Sequence, residues 1–157
     1  MQKQPTIAVI GGNQCTDAEA QIAERVGKLI AERSAILICG GRGGIMQAAC
    51  KGAFESGGIT VGILQGEDAA SANPFVKIPV ATGLGIARNI VIIRSADAVI
   101  AIAGKYGTLS EIAFAIQLGK PVFSLGSWPE IPGVQPVDSP DSAVQQAFDY
   151  LAANNYI

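Results

Sequence analysis

Residues 35–50 read AILICGGRGGIMQAAC. A short apolar run of strand length (35–39) passes directly into five residues of which four are glycine (40–44). A helix-forming stretch follows. Strand, glycine turn and helix in immediate succession form one half of a βαβ unit. Working outward, similar runs rich in β-branched residues stand at 6–10, 59–64, 75–80, 98–102 and 121–125. Helical stretches at 17–33, 44–56, 84–95, 109–118 and 140–154 fall between most of them. This alternation predicts an α/β fold: one Rossmann-like domain over residues 1–157, with an open, mainly parallel sheet and helices on both faces. The stretches 66–74 and 126–136 read as surface connections, the second rich in proline and carrying Trp128.

Composition supports a fully covered sheet. Apolar residues make up 49% of the chain against 15% charged, enough to fill a core on both faces of a sheet. A net charge of -2 gives no global field for a polyanion, so neither nucleic acid nor a membrane surface is expected as a partner. No apolar run reaches spanning length and the start MQKQPTIAVIGG leaves no room for a signal peptide, so a soluble cytoplasmic protein is expected. Cys15, Cys39 and Cys50 follow no metal or disulfide spacing and read as small apolar residues. The chain has no histidine, which removes histidine-based triads and the commonest metal ligand; no metal site is expected.

Ligands of open parallel sheets sit beyond the carboxyl ends of the strands. Four glycine-bearing connections fall there, at Gly11-Gly12-Asn13, Gly40-Gly41-Arg42-Gly43-Gly44, Thr82-Gly83 and Gly104-Lys105-Tyr106-Gly107-Thr108. Glycine exposes backbone N–H groups to a ligand, and the following helix offers unpaired donors and a positive dipole end. That combination suits a phosphate, with Arg42 and Lys105 adding charge and Met46 following in the first helical turn. Neither a G-x-G-x-x-G after the first strand nor a Walker sequence is present.

Several helix ends carry capping residues. Thr16 with Glu19 forms T-x-x-E, Ser139 precedes Pro140, and Gly119 follows a helix. Thr108 and Glu111 repeat the T-x-x-E spacing and read equally as a cap or as ligand contacts. Arg88 and Asn89 open an otherwise apolar helix, where a buried guanidinium requires an acid or a phosphate; Glu111 is one candidate partner. The apolar residues Leu84, Ile86, Ala87, Ile90, Val91, Ile92 and Ile93 surround this helix on every side, which predicts burial all round and hence a homo-oligomer, dimer or tetramer.

The segments GGRGGIMQAACKGAFESGG (40–58), ARN (87–89) and GKYGTLSEIAFAIQLGKPV (104–122) resemble the Lonely Guy-like, or "possible lysine decarboxylase", Rossmann superfamily. Within it, the short form is most similar to the molybdenum cofactor carrier branch. That branch implies a carrier for a phosphorylated pterin, storing, protecting and delivering it without transforming it, with molybdoenzymes as partners. The phosphoribohydrolases of the superfamily imply another reading, in which Arg88 and Glu111 cleave the N-glycosidic bond of a nucleoside monophosphate. This chain matches the hydrolase signature at Gly104, Gly107, Thr108, Glu111 and Arg88. It departs at Ala103, Lys105 and Asn89, which stand where those enzymes carry proline, glycine and lysine. Enzyme activity is therefore not the leading expectation. A nucleotide-sensing module is the third reading. The expected contacts are Gly11, Gly12, Asn13, Gly41, Arg42, Gly43, Gly44, Met46, Arg88, Asn89, Gly104, Lys105, Tyr106, Gly107, Thr108 and Glu111.

Overall fold

The structure, a computed structural model, describes residues 3–157. In chain order it contains β1 (Thr6–Gly11), α1 (Asp17–Glu32), β2 (Ile36–Cys39), α2 (Ile45–Glu55), β3 (Ile59–Leu64) and β4 (Ile78–Ala81). There follow α3 (Arg88–Ser95), β5 (Ala98–Ile102), α4 (Tyr106–Gln117), β6 (Val122–Leu125), β7 (Val134–Pro136) and α5 (Pro140–Ala153). The seven strands form one sheet in the order β4-β3-β2-β1-β5-β6-β7, and every neighbouring pair is parallel.

Parallel strands with period-two side chains need cover on both faces. Ile7 and Val9 of β1, with Ile100 and Ile102 of β5, pack under α1, α2 and α5. Ala8 and Ile10, with Val99 and Ala101, pack under α3 and α4 through Ile92, Ile93, Ile112 and Ala115. All of these side chains are at most 1% exposed.

Thr16 and Glu19 form the expected reciprocal capping box, with Glu19 N–H donating to Thr16 Oγ1 at 3.2 Å and Thr16 N–H to Glu19 Oε2 at 2.9 Å. Ser139 Oγ accepts from Ser142 N–H at 3.1 Å ahead of Pro140. Gly119, just beyond α4, takes the left-handed conformation at φ +69°.

Four expectations are corrected. Residues 75–77 lie outside β4, because Phe75 is held in a turn: its N–H donates to Asn73 Oδ1 and its carbonyl accepts from Thr60 Oγ1. The helix expected from Leu84 begins at Arg88 after one 3-10 turn, since Gly83 and Gly85 have φ of +65° and +58°. β7 arises within the segment expected to be a loop, as a three-residue edge strand ending on a proline, where edge position makes proline tolerable. Finally α4 begins at Tyr106, with Leu109 N–H bonded to Lys105 O at 2.9 Å. Thr108 and Glu111 therefore lie inside the helix and are not a capping box.

The apolar surround of α3 also resolves differently within a single chain. Arg88, Asn89, Ile92 and Ile93 are buried, Ile90 and Val91 are half-buried, and Arg94 and Ser95 are exposed.

Helices α1 and α2 cross at two glycines. A Cβ on Gly27 would strike the Ala49 carbonyl, and one on Gly52 would strike the Glu24 carbonyl. Neither obstacle is a flexible side chain, so each helix backbone must shift to accept a methyl group. Gly27→Ala should accordingly lower stability by about 2 kcal/mol net, overpacking outweighing the gain in helix propensity. Urea unfolding checks this, and an unchanged or higher midpoint would refute it.

Candidate functional site

β1 has β2 on one side and β5 on the other, so consecutive connections leave it in opposite directions and a crevice opens above its carboxyl end. A cavity of about 600 Å³ lies there, within the range of small-molecule sites. Gly11, Gly12 and Asn13 come to it from the end of β1, Arg42 and Met46 from the β2–α2 connection, and Arg88 and Asn89 from the start of α3. Gly104, Lys105, Gly107, Thr108 and Glu111 complete it from the end of β5 and the first turns of α4.

Gly41, Gly43, Gly44 and Tyr106 do not line the cavity. The three glycines shape the loop. Gly43 N–H donates to Asn13 Oδ1 at 2.9 Å, and Gly44, at φ +58°, packs so close to Gly12 O that a Cβ would collide with it. Tyr106 is 80% exposed and lies beside Trp128, ring centroids 6.0 Å apart. Trp128 donates from Nε1 to Lys105 O at 3.1 Å, bracing the second glycine loop from outside.

The chain caps α1 with Thr16 and α5 with Ser139. By contrast α2, α3 and α4, whose first turns form the cavity wall, start at Gly44, Ala87 and Lys105 with no side-chain cap. The first N–H groups of such helices have no partner within the helix. That of Ile45 on α2 is taken up by Gly12 O and that of Arg88 on α3 by Gly85 O of the preceding 3-10 turn, which leaves the first turn of α4 as the open one. With Arg42, Arg88 and Lys105 on the same cavity, it makes an environment that favours an anion.

Arg88 is 5% exposed. Its Nε donates to Ile63 O at 2.8 Å and its Nη1 to Asn89 Oδ1, while Asn89 Nδ2 donates to Ser110 Oγ at 3.1 Å. Asn89 thus orients the guanidinium and ties α3 to α4. Glu111 is 7% exposed and forms no ion pair with Arg88, so the expected pairing is replaced by neutral oxygen acceptors. Burial pushes the Glu111 carboxyl up to about 8, only partly offset by the Arg88 charge. Burial likewise lowers the Arg88 pKa, with Glu111 opposing the shift.

Two positioning residues escaped the reading of the sequence. Gln65 accepts from Arg42 Nη1 at 3.1 Å, and Asn73 holds the first glycine loop by donating from Nδ2 to Arg42 O at 2.8 Å and from N–H to Gly41 O at 2.9 Å. Gln65 follows the end of β3, so the rule of strand carboxyl ends would have found it. Asn73 sat in a stretch read as surface loop, yet is 8% exposed. Among the described residues, no group of three or more Cys, Asp or Glu side chains is placed to hold a metal.

The glycine loops, the Arg88-Asn89 pair and the G-x-x-G-T-x-x-E segment on one crevice agree with a family model that covers residues 4–150, described as the SLOG cluster4 family. The chain belongs to the SLOG cluster4 family, within the Lonely Guy-like superfamily. An uncharacterised protein of Archaeoglobus fulgidus is 46% identical over 138 residues, 88% of this chain and 91% of that one. Among solved structures, the molybdenum cofactor binding protein of the phototrophic bacterium Rippkaea orientalis superposes with a TM-score of 0.91 at 33% identity. The molybdenum cofactor carrier protein of Chlamydomonas reinhardtii superposes at 0.85, also at 33% identity. Each alignment covers 96% of this chain and 99% of the other.

The raised carboxyl makes stability depend on pH. In the unfolded chain Glu111 ionises near 4.3, whereas in the folded chain it holds its proton to about 8. Its contribution is fully present below the unfolded value and is lost as pH rises through about 8. Glu111→Gln should remove this slope, leaving the variant more stable than the parent by on the order of 3 kcal/mol at pH 7 and equal to it near pH 4. Urea midpoints at the two pH values test this; a parallel pH dependence in both proteins would contradict it.

Proposed function

We propose that this SLOG cluster4 protein binds a phosphorylated heterocycle, the molybdenum cofactor, and stores, protects and delivers it without transforming it. The observation that carries this reading is the convergence of uncapped helix starts with Lys105, Arg42 and Arg88 on one cavity of about 600 Å³. The first turn of α4 and Lys105 would hold the terminal phosphate. Asn13, Arg42 and Met46 flank the rest of the ligand, and Gly12 and Gly104 let it approach the backbone. The similarity to proteins named for binding or carrying molybdenum cofactor in Rippkaea and Chlamydomonas supports this ligand over other phosphates. Delivery to molybdoenzymes in the cytoplasm follows from the same reading.

The second reading, a phosphoribohydrolase acting on nucleoside monophosphates, rests on Glu111, a buried carboxyl facing the cavity near a buried arginine. There Glu111 stabilises an oxocarbenium-like transition state, Arg88 orients the substrate, and the loop amides hold the 5′-phosphate. A sensing module uses the same cavity without turnover.

The apolar surface beside the site supports assembly of identical chains. Leu84 is 53% exposed, Ile86 79% and Phe114 37%, on and near the two helices that cover the second face of the sheet. A homo-oligomer, dimer or tetramer, buries this surface.

Mass spectrometry of ligand released from freshly purified protein distinguishes the readings: a pterin phosphate is expected, an adenine nucleotide favours the enzyme or the sensor. Lys105→Glu and Arg42→Glu should each weaken cofactor binding roughly tenfold or more, the size of one charge-assisted hydrogen bond. Unchanged affinity in both variants would remove the proposed cradle. Release of free base from nucleoside monophosphates, abolished in Glu111→Gln, would establish the hydrolase in its place. Light scattering after size exclusion should report an oligomer, and a monomer at all concentrations would refute assembly.

A further inference from the structure

The anion site leaves unused the two cysteines that bracket its first glycine loop. Cys39 ends β2 and Cys50 lies on α2, eleven residues later, and both side chains are fully buried. Their Sγ atoms are 3.4 Å apart. Gly41 N–H, in the loop itself, donates to Cys39 Sγ at 3.3 Å. A backbone donor stabilises a thiolate, so the geometry makes Cys39 the nucleophile and Cys50 the sulfur that resolves it. The acidities agree: the hydrogen bond from Cys50 holds the Cys39 thiol below its ordinary range, while Cys50 is driven well above it by giving that bond and by burial. Arg88 assists the Cys39 thiolate.

We propose that Cys39 and Cys50 form a covalent modification site, a dithiol that peroxide converts to a reversible disulfide tying β2 to α2 beneath the glycine loop. The Cys39 thiolate attacks one peroxide oxygen, the O–O bond breaks, and the leaving hydroxide takes up a proton to give water and a sulfenic acid on Cys39. The Cys50 sulfur then attacks that sulfenic sulfur, forming the S–S bond, and the hydroxyl departs with the Cys50 proton as a second water. Two thiols lose two electrons to one peroxide; a small-molecule dithiol reverses the step by exchange.

Neither sulfur is exposed, and residues 40–44 are the link between the elements that carry them. Opening of that loop admits the oxidant. An anion bound against the loop holds it shut, a part of the inference that rests on the phosphate reading above. Ligand occupancy and thiol oxidation then oppose each other.

The test uses the full chain with Cys15→Ser, which removes the half-exposed third thiol. After hydrogen peroxide, unfolding in iodoacetamide and non-reducing digestion, peptides carrying Cys39 and Cys50 should be joined. The intact mass should fall by two hydrogens, and dithiothreitol should restore both thiols. Two alkylated cysteines, after an exposure that fully oxidises Cys15 in the unchanged chain, would overturn the proposal. Cys50→Ala should lose the two-hydrogen change; the parent mass alone decides if that variant does not fold. Inorganic phosphate at ten times its dissociation constant should slow the linkage about tenfold, as opening is suppressed by mass action. An unchanged rate with phosphate shown bound by calorimetry would overturn the protective coupling. Calorimetry showing no phosphate binding would count instead against the anion site, with the disulfide still decided by mass.

Discussion

The position of β1 is the constraint on which the site depends. Because β2 lies on one side of it and β5 on the other, the two glycine loops rise from either side of one strand and cannot close over its end. Parallel pairing then points every strand-to-helix turn to the same edge of the sheet. The loops at Gly40–Gly44 and Gly104–Thr108 are far apart in sequence, and this strand order brings them together. Gly12, at the end of β1, is the hinge of the arrangement: its carbonyl accepts from Ile45 N–H at 3.0 Å, fastening the start of α2 to the central strand.

Placing Arg88 and Glu111 under this crevice sets two desolvation costs against each other. The guanidinium recovers part of its lost hydration from the Ile63 carbonyl and the Asn89 amide oxygen. The carboxyl recovers little and keeps its proton instead. The cavity floor therefore presents a fixed positive group beside an acid that is neutral below about pH 8. An anion approaching this wall meets Arg88 without an ionised Glu111 beside it; the other carboxyl that lines the cavity, that of Glu19, accepts from Thr16 N–H.

Periodicity and glycine placement made the parallel sheet, its five helices and the loops at the strand ends legible, because each is a local pattern. Thr16, Glu19 and Ser139 were legible for the same reason: a cap is satisfied by residues three positions away. The start of α4 was not, since T-x-x-E at Thr108 and Glu111 has the spacing of a cap whether the residues lie outside a helix or within it. β7 was hidden because a three-residue edge strand carries too few alternations to show a period. Asn73 and Gln65 act on Arg42 across 31 and 23 residues, distances over which no local pattern reports. Asn89, expected as a ligand contact, lines the cavity, and its amide is also engaged with Arg88 and Ser110, a bracing role that the motif alone does not announce.

Ile86 belongs to two surfaces. It lines the cavity, and it is also the most exposed aliphatic side chain of the apolar area around α3 and α4. Burying it by a ligand on one side, or by a protein surface on the other, draws on the same hydrophobic free energy. A ligand and a protein surface that both met Ile86 would share a thermodynamic cycle, so whatever advantage or penalty the first conferred on the second, the second would return in equal measure.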